Sequence, residues 1–432
     1  MNDASILVII VFFLFLFLFG GSWIFCALGV AGVLGVWLFG VVPTFALSLQ
    51  MWGTTNSFIL TAIPLFIFMG EIMLRSSMSA SLYKGITSWV GQFPGGLIHS
   101  NIAACALFAA ISGSSVATAA TVGTVAIPDQ EARGYDRRLI LGSVTASGTL
   151  GMLIPPSIVM IIYGAWMEVS IAKLFMGGVV PGVMLALMFM LYMTIRCSLQ
   201  PGMAPRVVSS WRERVLSIKD IWPILILIVF ILFSIYTGLM TPTETAGVAG
   251  FIAILLTLIL RKFSFSLLYN CALSAARTTA IILIIVVGAK IFVMSLIYLG
   301  VTVLIPVAVE ALDMPPLGVL IFLYMVFIVL GCFFDSISLL LVTLPFVQPI
   351  LITMGVDFIW FGIVMVLLLE IGMITPPVGM NLYVIMSITK NCSILEITKS
   401  VIPFFFILLV GVVVLNVFPQ LALWLPSTMV RR

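Results

Sequence analysis

Two short polar stretches hold most of the side chains here that could bind a ligand: Ser112-Gly113-Ser114-Ser115, with Thr118 just beyond, and Asp335-Ser336-Ile337-Ser338. Each interrupts a long apolar run. Two further interruptions are proline pairs, Pro155-Pro156 and Pro376-Pro377, with Thr145, Gly148 and Gly151 near the first and Gly372, Thr375 and Asn381 near the second. Small polar residues favour a turn, and a Pro-Pro pair removes helical N–H donors and clashes with the preceding turn. Hydroxyl, carboxylate, amide and carbonyl oxygens are hard ligands that suit Na+ better than soft transition metals. Ser114, Ser115, Gly148, Asp335, Ser336 and Thr375 are therefore read as the Na+-binding part of a site. Ser112, Gly113, Thr145, Gly151, Pro155, Ser338, Gly372, Pro376 and Asn381 complete it for substrate and ion, and none is read as catalytic. The competing account is that Ser, Thr and Gly only let helices approach closely. It leaves the pairing of four breaks unexplained.

The surroundings of these residues are apolar. Of the 432 residues 63% are hydrophobic and 8% charged, with a mean hydropathy of +1.33 and a net charge of +4. A soluble domain carries about 25% charged residues, so composition excludes a cytosolic enzyme, a nucleic-acid binder and a disordered chain. Six scattered cysteines without C-x-x-C spacing read as small core residues. Met1-Asn2-Asp3 supplies no basic n-region before the first apolar run, which reads as a retained helix. On a ruler of about 20 apolar residues per span, spans fall near 4–20, 24–43, 55–74, 139–165 and 173–196, then near 221–239, 244–260, 278–298, 359–387 and 400–424.

The two sets are copies. Pro128 falls on Pro349 (349 − 128 = 221), and the same shift carries Gly134 to Gly355, Asp136 to Asp357, Gly151-Met152 to Gly372-Met373 and Pro155-Pro156 to Pro376-Pro377 without a gap. The expected organisation is a first repeat over 1–200, a basic connector over 201–220 and a second repeat over 221–425. In each repeat an apolar region broken midway, 97–132 and 316–355, precedes the span with the proline pair. Basic residues mark the cytoplasmic side, which places 197–220, Arg261-Lys262 and Arg133, Arg137 and Arg138 inside, and Glu310 and Asp313 outside. This fits if each broken region is a re-entrant hairpin. Each half then crosses five times and the second half is inverted. Helix ends inside a membrane persist only around a cavity or ligand, and inverted repeats with paired discontinuous helices mark secondary transporters.

Other charges have ordinary accounts. Glu71 and Arg75 are spaced to pair on a helix, and Thr241-Pro242-Thr243-Glu244 reads as a helix start. Lys290 can snorkel or pair, and Glu370 is open to either reading. Asp335 aligns with Ser114 under the 221 shift and is the charge assigned to the site.

The Ser112–Ser115 tip followed by Ala117-Thr118-Ala119, IPPS at 154–157, TPTE at 241–244 and PPVG at 376–379 resemble, over nearly the whole chain, the large membrane subunit of tripartite ATP-independent periplasmic (TRAP) transporters. The resemblance implies an all-α, multi-pass protein of the bacterial inner membrane. It also implies an elevator mechanism, in which hairpins and broken helices carry substrate and Na+ past a scaffold. No cofactor is implied beyond Na+ as coupling ion. The implied partners are a small four-helix membrane subunit, expected as a separate chain, and a periplasmic substrate-binding protein. The substrate class is a carboxylate: a C4-dicarboxylate, keto acid or sialic acid. Three rivals stand beside this reading: a stand-alone Na+/dicarboxylate carrier, an intramembrane serine hydrolase using Ser114 or Ser115 with His99, and a channel.

Overall fold

A computed structural model describes residues 3–39, 44–76, 78–207, 209–311 and 313–429, and their regular structure is helical throughout. The first half holds α1 (Asp3–Phe19), α2 (Ile24–Phe39), α3 (Thr44–Thr55), α4 (Ala62–Arg75), α5 (Met78–Val90), α6 (Leu97–Ser112), α7 (Ser115–Ala132), α8 (Arg137–Thr149), α9 (Ile158–Met167) and α10 (Ile171–Leu199). The second holds α11 (Trp211–Tyr236), α12 (Pro242–Ile259), α13 (Phe265–Tyr298), α14 (Val301–Ala311), α15 (Pro316–Gly331), α16 (Ser336–Thr353), α17 (Phe358–Met373), α18 (Met380–Ile388), α19 (Ile394–Val417) and the short α20 (Gln420–Ser427).

The 221-residue register is visible in the helix starts. Ser115 opens α7 and Ser336 opens α16; Arg137 opens α8 and Phe358 opens α17. The same local chemistry sets both pairs. Ser114 and Asp335 cap α7 and α16 through their side chains, and Asp136 and Asp357 cap α8 and α17. Gly134 and Gly355 follow α7 and α16 at φ 75° and 62°, a left-handed backbone that lets each chain reverse after its hairpin. Both proline pairs are joined by cis bonds.

Packing is reciprocal between halves. α7 packs on α18 as α16 packs on α9; α8 meets α19 as α17 meets α10; α2 meets α13 as α12 meets α4; and α5 meets α11 as α14 meets α1. Contacts exchanged in this way are those of a pseudo-twofold, by the logic of an isologous interface. Two bundles result. One comprises α1 to α4 with α11 to α13; the other comprises the hairpins α6–α7 and α15–α16 with α8 to α10 and α17 to α20. The centre of the second bundle is closely packed, every residue of Leu139–Thr149 on α8 and of Trp360–Met373 on α17 being buried. Outer faces carry exposed Val229, Phe233, Phe251, Leu255, Phe406 and Val413, apolar side chains of the kind a helix presents to lipid.

Several expected boundaries move. The connector expected over 201–220 is half helical, because a reciprocal capping box between Ser210 and Glu213 starts α11 at Trp211. The span expected at 55–74 is a bent pair, α3 and the helix from Ile59, inclined at 48°. That at 278–298 is the C-terminal part of the 34-residue α13, and that at 400–424 divides into α19 and α20. Residues 40–43 of the span expected at 24–43 lie outside the described residues. Helices α5 and α14 occupy equivalent places ahead of the two hairpins, where no element was expected. Among the described residues six helices have the length and apolarity to cross a membrane, or up to eight if each bent pair counts as one span.

Candidate functional site

The two hairpin tips meet at one cavity of about 200 Å³, lined on one side by Gly113, Ser114 and Ser115 and on the other by Asp335 and Ser336. Met152, Ile158, Met373 and Met380, from the broken spans, supply apolar walls. Sequence periodicity gives no means of separating these methionines from other core positions.

The first tip is closed by its own hydroxyls. Ser112 Oγ and Thr118 Oγ1 lie 2.7 Å apart, and Thr118 Oγ1 donates to Ser114 O at 2.8 Å. Gly113 turns the chain at φ 60°; a Cβ there would come within 2.8 Å of Pro156 O, so hairpin and break are in backbone contact. Gly151 meets the same tip, with a virtual Cβ 2.6 Å from Ser114 O, and Gly148 packs on Ala119. In the second repeat Val378 N donates to Cys332 O at 2.9 Å. Gly372 lies against Gly331, where a Cβ would approach Gly331 Cα to 2.7 Å. These glycines therefore build the close approach of tip and break, and their side-chain-free surface is the reason for it.

A polar link beside the cavity joins the repeats. Asn381 Nδ2 donates to Ser115 Oγ at 2.8 Å and to Thr145 O at 3.2 Å, while Asn381 Oδ1 is buried without a hydrogen-bond partner among the described residues. Ser338 Oγ is likewise buried and unpaired. Hydroxyls of Thr145 and Thr375 donate to Leu141 O and Ile371 O of their own helices. Thus Gly113, Ser114, Ser115, Asp335 and Ser336 reach the cavity wall, Asn381 and Thr145 stand behind Ser115, and Gly148, Gly151, Gly372 and Ser338 pack around them. Pro155 is buried, whereas Pro376 is exposed. One break is covered and its equivalent is open.

Asp335 is the charged residue of the lining. Its Oδ2 accepts from Ile337 N and Ser338 N at 3.1 and 3.2 Å, as a helix cap. Oδ1 takes no hydrogen bond among the described residues. The cavity thus presents carboxylate and hydroxyl groups and the starts of α7 and α16, and no cationic side chain is among its described lining residues.

Residues weighed in the sequence fall out differently. Glu71 and Arg75 pair at 2.7 Å, and Glu244 Oε2 accepts from Thr241 N at 2.8 Å. Glu370 is fully buried on α17, with neither carboxyl oxygen hydrogen-bonded among the described residues. His99 stands at the start of α6, its Nε2 2.7 Å from Pro94 O, while Ser114 lies past the other end of that 16-residue helix. At 1.5 Å per residue this is about 24 Å, and a nucleophile and its base must be within hydrogen-bond reach.

Residues 10–421 match the family described as Tripartite ATP-independent periplasmic transporter, DctM component. The chain is 36% identical over 405 residues to the C4-dicarboxylate TRAP transporter large permease protein DctM of Pseudomonas aeruginosa, covering 93% of this chain and 94% of that one. It is 32% identical over 413 residues to the isethionate TRAP transporter permease protein DctMQ of Oleidesulfovibrio alaskensis, covering 95% of this chain and 64% of the relative. The crystal structure of the Alcanivorax borkumensis YdaH transporter superposes with a TM-score of 0.60 over 88% of each chain at 15% identity, a likeness of fold.

Proposed function

The chain belongs to the DctM family of tripartite ATP-independent periplasmic transporters and is a multi-pass protein of the inner membrane; from that premise we propose that it is a Na+-coupled carrier of a small organic acid. The observation that supports this most is the cavity between the tips. Its one charged lining residue is acidic and its other polar side chains are serine hydroxyls. An organic anion binds there only with a cation beside it, so uptake of the acid requires the ion. Asp335, Ser114, Ser115 and Ser336 are the side chains on the wall, and the unpaired Asn381 Oδ1 and Ser338 Oγ add oxygen capacity around it.

The breaks supply the movement in this reading. The bundle of hairpins and broken helices carries the cavity, and the bundle of α1 to α4 and α11 to α13 is the frame it moves against. An arrangement with one break covered and the other open is that of a carrier at one end of its travel. Inserted oppositely, the two repeats give each membrane face an equivalent hairpin. The relatives are named for a C4-dicarboxylate and for isethionate, both anions, and the family name specifies a tripartite system. On this reading a small membrane subunit extends the frame and a periplasmic binding protein selects and delivers the acid.

Reconstitution tests it. Proteoliposomes receive this chain, the small subunit and the binding protein, singly and together, under an inward Na+ gradient. Saturable uptake is expected with all three and Na+. Equal uptake on a proton gradient without Na+ would contradict the coupling, and full uptake by this chain alone would favour the stand-alone carrier.

A further inference from the structure

A second cavity, of about 210 Å³, lies between the two bundles and is lined by polar Gln50, Thr54 and Ser57 at the α3 bend, by Ile162 and Trp166 of α9, and by Lys290 of α13. Lys290 is its one charged residue. The ammonium sits 4.2 Å from the centre of the Trp166 ring, a cation–π contact that leaves its hydrogen-bond donors free. Among the described residues it enters no ion pair. Glu168, at the end of α9, is the carboxylate that acts on it from a distance, but makes no ion pair with it. A half-buried ammonium not paired directly, in a cavity with room for several atoms, is an anion-binding arrangement.

The position is informative. Ile158, Ile162 and Trp166 recur at four-residue spacing and so share one face of α9. Ile158 lines the cavity between the tips, while Ile162 and Trp166 line this one. Eight residues of helix separate Ile158 from Trp166, about 12 Å. Lys290 is eight residues from the end of α13 at Tyr298, the end opposite Arg261-Lys262 and so the outer one. The cavity between the tips has no cation of its own. We propose that the Lys290 cavity is an outer-side holding site for organic anions, carboxylates or sulfonates, from which the acid passes along α9 to the hairpin tips. The proposal rests on the carrier reading for its direction, but its binding chemistry is tested without transport.

In a cysteine-free background Ser57→Cys is labelled from the outer face with the sulfonate-bearing methanethiosulfonate reagent and with its neutral methyl analogue. With Lys290 present the anionic reagent is expected to gain at least five-fold over the neutral one, relative to Lys290→Gln. Lys290→Arg keeps the advantage. Millimolar succinate and isethionate, a dicarboxylate and a sulfonate, slow anionic labelling in the lysine protein and not in the glutamine variant. An unchanged rate ratio in Lys290→Gln, no protection by either acid, or no reaction of the cysteine from outside would each overturn the site. Because labelling needs no uptake, failure of the carrier reading would appear separately, in the reconstitution.

Discussion

Asp335 holds two roles that substitution can separate. Its Oδ2 caps α16, and loss of a cap costs about 0.5–2 kcal/mol. Asn is as good a cap as Asp but carries no charge. Asp335→Asn is therefore expected to keep the melting temperature of the detergent-solubilised protein while shifting Na+ activation of uptake at least five-fold; Asp335→Ala loses both. Equal Na+ activation in wild type and Asp335→Asn would remove Asp335 from the ion site. Ser115 and Asn381 act as a pair across the repeats. A double-mutant cycle with Ser115→Ala and Asn381→Ala should give a coupling of about 0.5–1.5 kcal/mol, the net worth of one buried hydrogen bond, read from thermal unfolding. Additive effects would show that the link contributes nothing. Glu370 has no hydrogen-bond partner among the described residues, and a carboxyl so buried is costly to ionise, so Glu370→Gln, which is neutral and keeps its shape, is expected to leave stability the same or higher in the same assay.

Among elements, the hairpins differ in how their bases are held. Gln130 on α7 donates to Tyr83 Oη at 2.7 Å, Leu97 O at 3.0 Å and Asn101 Oδ1 at 2.5 Å, and Asn101 Nδ2 donates to Ser143 Oγ at 2.9 Å. This network ties α5, α6, α7 and α8 together. The position 221 residues after Gln130 is Leu351, and hairpin α15–α16 has an apolar base. Gln130→Leu is expected to destabilise the protein by about 1–3 kcal/mol, because the buried partners lose a donor; unfolding with an unchanged midpoint would show the network to be incidental. The network was not legible in the sequence, where Tyr83, Asn101, Gln130 and Ser143 lie far apart and each looks like an ordinary polar residue. The hairpin limits were legible, since Ser114, Asp335, Gly134 and Gly355 carry their own turn and cap chemistry. Helices α5 and α14 were missed because they are shorter than a span. The start of α11 was misplaced because charge was read as connector where Ser210 and Glu213 cap a helix.

At the scale of the whole molecule the account joins two copies of one unit around one cavity. The duplication was readable because Gly, Pro and Asp positions repeat at one offset, and reciprocal packing of eight helix pairs realises it in three dimensions. Which residues reach the cavity was not readable, since Thr145 and Thr375 turn their hydroxyls to their own helices and Ser336 does not differ from them in type. On the proposed reading, opposed insertion of the halves would let one cavity serve two faces. Ala132 and Thr353 end α7 and α16, are both exposed, and stand 221 residues apart. Single cysteines at these two positions, in a cysteine-free protein in spheroplasts, can be challenged with an impermeant thiol reagent. The account predicts that Thr353→Cys reacts at once, while Ala132→Cys reacts only after the membrane is permeabilised; reaction of both from the same face would contradict it.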